Sequence, residues 1–129
     1  MANKDISILV VDDIENMRKL IASMLFKLKF TRILMAENGR DAWAKIQNHH
    51  FDLVISDWNM PNMSGLDLLK AIRNDSNDPN LPVLMVTAEA VKGNIVEAAK
   101  YKVNGYIVKP FSPATLEAKI NDILTKTGM

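Results

Sequence analysis

Five short apolar runs alternate with five stretches of helical periodicity, and that order leaves few folds open to the chain. The runs are Ile6 to Val11, Arg32 to Ala36, Phe51 to Ser56, Val83 to Val86 and Tyr106 to Val108. Ile8-Leu9-Val10-Val11 and Leu53-Val54-Ile55 are continuously apolar, as expected of strands covered on both faces. Between them, Met17, Leu20, Ile21, Met24, Leu25 and Leu28 repeat at a 3-1-3-1-3 spacing that predicts one inward helical stripe from about Asn16. Asn38 reads as the cap of a second helix to about Gln47, with Ala42 and Ile46 inward. Ser64 and Asp67 have the spacing of a capping box before Leu68, Leu69 and Ile72, and Asn74 to Pro82 reads as a loop. A fourth helix is expected from about Val91 to Tyr101. A fifth opens at Ser112-Pro113 and buries Leu116, Ile120, Ile123 and Leu124. Strands and helices in strict alternation imply an α/β fold, a doubly wound five-stranded parallel sheet with helices on both faces, in one domain over residues 1–129.

Crossovers between parallel strands are right-handed, so all five strand C-termini share one edge of the sheet. Pro61 has no N–H and stops the third strand's ladder soon after Asp57. Asp12 and Asp13 follow the first strand, Asp57 ends the third, Thr87 the fourth and Lys109 the fifth. Residues spread over nearly the whole sequence should therefore meet at the edge where open α/β sheets bind ligands.

Three carboxylates in one crevice repel, each pair by about 4 kcal/mol at ~4 Å and an effective dielectric of ~20. Either one takes up a proton or a cation sits among them. Oxygen donors without His or Cys suit Mg²⁺, with Mn²⁺ able to substitute, better than zinc. On a blander reading, Asp12 and Asp13 merely cap the helix that follows. Thr87 and Lys109 add a hydroxyl and an ammonium facing the acids, a pocket fit for a small oxyanion such as a phosphoryl group. A carboxylate within it can be the nucleophile that forms an acyl phosphate, and Asp57 is the candidate. Lys109-Pro110 is an X-Pro bond, a type that can be cis.

Composition excludes several other classes. Hydrophobic residues make up 48% and charged residues 24%, as in an ordinary globular protein. A net charge of +1 gives no reason to expect nucleic acid, and the absence of cysteine rules out disulfides and thiolate chemistry. No apolar run is long enough to span a membrane and the first residues lack a signal peptide's apolar region, so a cytoplasmic monomer is expected. His49 and His50 read as a plain loop, Met60 and Met63 as loop packing, and Trp58 as a partly exposed loop residue beside the nucleophile.

Val10-Val11-Asp12-Asp13, Asp57 with Met60-Pro61 and Gly65, Val86-Thr87-Ala88, and Lys109-Pro110-Phe111 together resemble the receiver domain of two-component response regulators. Asp57 to Met63, Thr87-Ala88-Glu89-Ala90 and Asn104 to Phe111 are more narrowly similar to the chemotaxis (CheY) type. That resemblance, and not the spacing, implies the flavodoxin-like strand order 2-1-3-4-5. It also implies that Asp57 accepts a phosphoryl group from a histidine kinase (CheA-like). Asp13, Asp57 and the backbone carbonyl of Asn59 would hold Mg²⁺, with Asp12 holding it through water. Thr87 and Lys109 would contact the phosphoryl oxygens, and Asn59 and Glu89 would modulate hydrolysis. Tyr106 would be an aromatic switch, on an output face with Ala90, Lys92, Ile95, Val108 and Lys119 that binds a flagellar motor switch protein (FliM-like). A phosphatase (CheZ-like) is a further partner in such systems. Read without the family, Tyr106 is a core aromatic and Lys92 and Lys119 are solvated helix residues.

Glu15 near the crevice, Gly93 early in the fourth helix and Lys102 where a glycine often ends it depart from the family pattern. A left-handed Lys102 would cost roughly 1 kcal/mol relative to glycine. The alternatives are a stand-alone receiver in a relay unconnected to motility, a flavodoxin-like FMN carrier, and a Mg²⁺-dependent aspartyl phosphatase. The FMN carrier needs a hydroxyl- and Gly-rich phosphate loop that Asp12-Asp13-Ile14-Glu15 does not supply. The phosphatase needs a substrate cap for which no insertion is long enough.

Overall fold

In the computed structural model, which describes residues 4–88 and 91–128, each apolar run becomes a strand. The strands are β1 (Ser7–Val11), β2 (Arg32–Ala36), β3 (Leu53–Asp57), β4 (Val83–Thr87) and β5 (Gly105–Val108). The helices α1 (Glu15–Lys27), α2 (Gly39–Asn48), α3 (Gly65–Asp75), α4 (Lys92–Lys100) and α5 (Pro113–Lys126) alternate with them. Neighbouring strands pair in parallel in the order β2-β1-β3-β4-β5. The central strands have both faces covered: β3 and β4 are buried along their whole length, and β1 after its first residue.

Alternate pleat positions feed two cores. Ile8, Val10, Ile55, Val86 and Ile107 pack with Ile21 and Leu25 of α1 and with Leu116, Ile120, Ile123 and Leu124 of α5. Leu9, Val11, Val54 and Met85 pack with Ala42 of α2, Leu68, Leu69 and Ile72 of α3, and Ala98 of α4. The α1 stripe differs from its expected composition: Leu20 is 48% exposed, and Ala22 is buried instead. α1 packs on β1 and β2, with Met17, Met24 and Leu28 only partly buried along its stripe.

The caps form as the sequence predicts. Asn38 accepts from the N–H of Asp41, Ser64 and Asp67 cap each other reciprocally, and Ser112 accepts from Thr115 with Pro113 in the first turn. α1 and α4 begin without side-chain caps, at Ile14 and Val91. α4 ends where Lys102 takes a left-handed conformation, φ 57°. Its end is fastened by Arg73 of α3, which donates to the carbonyls of Pro79, Leu81, Tyr101 and Lys102 and to the Asn104 side chain at 2.7–3.1 Å. Among the described residues no helix is long and apolar enough to cross a membrane.

Candidate functional site

Register levels the acidic residues. Val11 pairs with Ser56, so Asp12 and Asp57, each one residue on, emerge side by side. Asp57 pairs with Val86 and Thr87 with Val108, which places Thr87 and Lys109 at the next two strand ends. The ladder runs one residue past the strands: Trp58 N–H donates to Val86 and Lys109 N–H to Thr87, at 2.9 and 2.8 Å. Asp12, Asp57 and Lys109 continue the pleat of Val10, Ile55 and Ile107, on the α1–α5 side, whereas Thr87 continues that of Met85. The Lys109-Pro110 bond is cis.

Asp12, Asp57 and Thr87 are buried, and Asp13 is exposed. The Lys109 ammonium bridges the two buried acids, 3.2 Å from Oδ1 of Asp57 and 3.4 Å from Oδ2 of Asp12. The acids do not cap α1, whose N-cap is Ile14. Oδ1 of Asp12 accepts from the N–H of Ile14 at the start of α1, while Oδ2 faces Lys109. Burial pushes the carboxyl of Asp57 above its ordinary pKa, and the charge of Asp12 adds to this; Lys109 pulls the other way, and Asp13 raises it further. Repulsion among the acids is therefore only partly relieved by the lysine.

One carboxylate oxygen from each of Asp12, Asp13 and Asp57 lies within 4.8 Å of the others, with no histidine or cysteine in the group. An all-oxygen donor set with one exposed member fits a hard divalent ion that keeps part of its water, and Mg²⁺ is of that kind. Asn59, two residues beyond Asp57 in the loop into α3, is exposed between the buried Trp58 and Met60. That loop returns at once: Gly65 N–H donates to Trp58 O at 2.9 Å, and a Cβ on Gly65 would collide with the carbonyl of Asp57.

Trp58 departs from expectation. It is only 7% exposed, because the extra ladder bond to Val86 draws it over the sheet and its ring packs beside Tyr106. Tyr106 is half-buried and its hydroxyl donates to the carbonyl of Asn94 in the first turn of α4; burial raises its pKa. Lys92 and Ile95 on α4, Val108 on β5 and Lys119 on α5 are exposed on the elements flanking the β5 edge, where Val91 and Val96 add apolar surface the sequence reading missed. Nothing in the letters singles out those valines, or the backbone acceptor at Asn94. Glu89 and Ala90 lie outside the described residues. Met60 is buried, Met63 half-buried, and the exposed His49 and His50 lie on a loop at the opposite edge of the sheet, as expected.

Residues 8–121 match the model of the response regulator receiver domain. The chain belongs to the response regulator receiver family. This receiver is 48% identical to chemotaxis protein CheY-3 of Vibrio cholerae over 124 residues, 96% of the chain and 95% of the relative. It is 46% identical to chemotaxis protein CheY of Pseudomonas aeruginosa over 121 residues, 94% and 98% of the two chains. Among solved structures, CheY4 of Vibrio cholerae superposes with a TM-score of 0.87 at 35% identity, covering 93% of the receiver and 99% of that chain. A receiver domain from Clostridium thermocellum gives 0.84 at 25% identity, covering 95% and 97%. The receiver is thus a CheY-type response-regulator domain of two-component signalling, and receiver domains are phosphoacceptor switches.

Proposed function

We propose that Asp57 is the phosphoacceptor of a chemotaxis-type switch. The observation that carries this reading is a nearly buried carboxylate at a strand end, 3.2 Å from the Lys109 ammonium and grouped with two further acids. In the transfer, a carboxylate oxygen of Asp57 attacks the phosphorus of a kinase phosphohistidine. The new O–P bond forms as the N–P bond breaks, and the electron pair returns to the imidazole. Lys109 neutralises charge on the phosphoryl oxygens and Thr87 donates a hydrogen bond to one of them. Asp13, Asp57 and the carbonyl of Asn59 would hold Mg²⁺, with Asp12 behind a water; the ion supplies charge neutralisation for the incoming group. Asn59 and Glu89 modulate how fast the acyl phosphate is hydrolysed.

The output is protein binding in the cytoplasm. Tyr106 is the switch residue, and Ala90, Lys92, Ile95, Val108 and Lys119 belong to the face that meets a flagellar motor switch protein. The exposed apolar surface of Ile95, Val91, Val96 and Val108 supports that role. A kinase of the chemotaxis type and a dedicated phosphatase complete the cycle.

The deciding experiment treats wild type and Asp57→Asn with a small-molecule phosphodonor, with and without Mg²⁺, and weighs the intact protein. One Mg²⁺-dependent phosphoryl group on wild type and none on the variant is expected; equal labelling of both would refute the assignment. Phosphorylated protein is then titrated with an N-terminal motor-switch peptide. Absence of binding would redirect the output to a relay unconnected to motility.

A further inference from the structure

The loop joining Asp57 to α3 is seated against α2 at a single glycine. Gly39, the first residue of α2, is buried, and a Cβ built on it falls 2.6 Å from the carbonyl oxygen of Met63 and 2.8 Å from both Cβ and Cγ of that residue. Non-bonded heavy atoms settle at ~3.5–4.0 Å, so any side chain here must push back the loop or α2. Two of the three atoms met are Met63's own backbone oxygen and Cβ, which cannot swing aside as a side-chain tip can.

The loop has little slack to absorb such a push. Trp58 is tied at one end to Val86, Gly65 at the other end to Trp58, and Met63 N–H donates to Pro61 O at 2.8 Å across a left-handed Asn62, φ 70°. Pro61 fixes its own φ. Between these fixed points lies Asn59, so a displacement at Met63 passes to it through three residues of constrained backbone. The ends are held by hydrogen bonds from β4 and α3, and the middle by contact with α2.

The geometry points to Gly39 as a positioning residue for the ion-binding loop: its bare Cα is the seat that sets Met63 and, through it, the carbonyl of Asn59 offered to Mg²⁺. This rests on the proposed function, which assigns that carbonyl to the ion. Hydrogen-bonded partners of metal ligands commonly change affinity by 10–100-fold, and Gly39 acts one contact further out, through Met63, so the low end of that range applies. Gly93 is the matched control, because a Cβ there meets nothing within 4 Å.

The test is calorimetric titration of Mg²⁺ into wild type, Gly39→Ala, Met63→Gly and Gly93→Ala, each shown folded by circular dichroism and thermal unfolding in the absence of the ion. Met63→Gly removes the same contact from the loop side and carries the test should Gly39→Ala fail to fold. The expected result is a Kd raised about tenfold in Gly39→Ala, a smaller rise in Met63→Gly, and no change in Gly93→Ala. Wild-type affinity in the folded Gly39 or Met63 variants would overturn the inference while leaving the ion site in place. No Mg²⁺ binding by wild type would instead overturn the underlying reading.

Discussion

The ring of Tyr106 lies beside that of Trp58, centroids 6.0 Å apart and planes inclined by 30°, while its hydroxyl donates to Asn94 O at 3.1 Å. One side chain therefore touches both the residue after Asp57 and the first turn of α4. Away from the end that Arg73 fastens, that helix is lightly held: Ala98 is its one buried residue and Val91 gives it no side-chain cap. A signal at Asp57 can shift α4 only through a contact that differs between two arrangements, and the proposed switch assigns that part to this hydroxyl. Tyr106→Phe keeps the ring and removes the donor. Amide exchange in the first turn of α4 should quicken, with a stability loss of about 1 kcal/mol. Unchanged protection there, measured by hydrogen exchange, would show that the bond does not secure the helix.

The raised pKa of Asp57 has a consequence for stability. A carboxyl whose folded pKa exceeds its unfolded value favours folding when both states are protonated. That contribution is lost as pH rises from the ordinary carboxylate range, near ~3.9, through the raised folded value. The cost at neutral pH is about 1.4 kcal/mol for each unit of elevation. Asp57→Asn cannot ionise and leaves Lys109 its bond to Asp12. Without divalent ions, the variant should be more stable than wild type at pH 7, and the gap should close below about pH 4. Urea denaturation across that range measures it; saturating Mg²⁺ should reverse the order by stabilising wild type.

Arg73 has five acceptors within 2.7–3.1 Å, four of them backbone carbonyls that no other described side chain serves. Lysine has the charge but not the planar fork, so Arg73→Lys leaves several of these carbonyls unpaired. The expected loss is about 2 kcal/mol, the scale of one or two unsatisfied buried acceptors. Faster exchange should be confined first to the residues around Tyr101 to Asn104 and the entry to β4. A uniform change across the sheet would mean that Arg73 holds the whole fold and not this corner.

The crevice was legible because its residues are strand ends, and strand ends follow from where apolar runs stop. Asp57, Thr87 and Lys109 needed only period, proline and crossover handedness, with the family likeness supplying strand order. Trp58 reads as partly exposed because its burial depends on a ladder bond to Val86 on another strand, which local sequence does not encode. Periodicity marks the helical stripe of α1 but not which of its members tertiary packing covers, and Leu20 is left exposed. Arg73 carried no signal: a lone arginine near a helix end reads as solvated, and its acceptors are carbonyls up to thirty-one residues away in sequence, Asn104 included. The seat of Met63 on Gly39 was hidden for the same reason, being a contact between a backbone and the absence of a side chain.

Two departures from the family pattern weaken α4 in ways that can be repaired separately. Lys102 holds φ 57°, where a side chain costs roughly 1 kcal/mol relative to glycine, and its backbone contacts to Ala99 and Arg73 need no side chain. Gly93 is exposed within the helix, and an added methyl meets nothing within 4 Å. Lys102→Gly and Gly93→Ala should each stabilise by up to about 1 kcal/mol. The two sites lie at opposite ends of α4 and share no partner, so the double variant should show nearly the sum. At roughly 2–8 °C per kcal/mol, that is a rise in Tm large enough to resolve by calorimetry. If Lys102→Gly alone lowers Tm, the side chain at that position is earning its strained backbone through a contact the helix end depends on. Slower exchange in α4 with unchanged exchange in β1 and β3 would show that the gain is local to that helix.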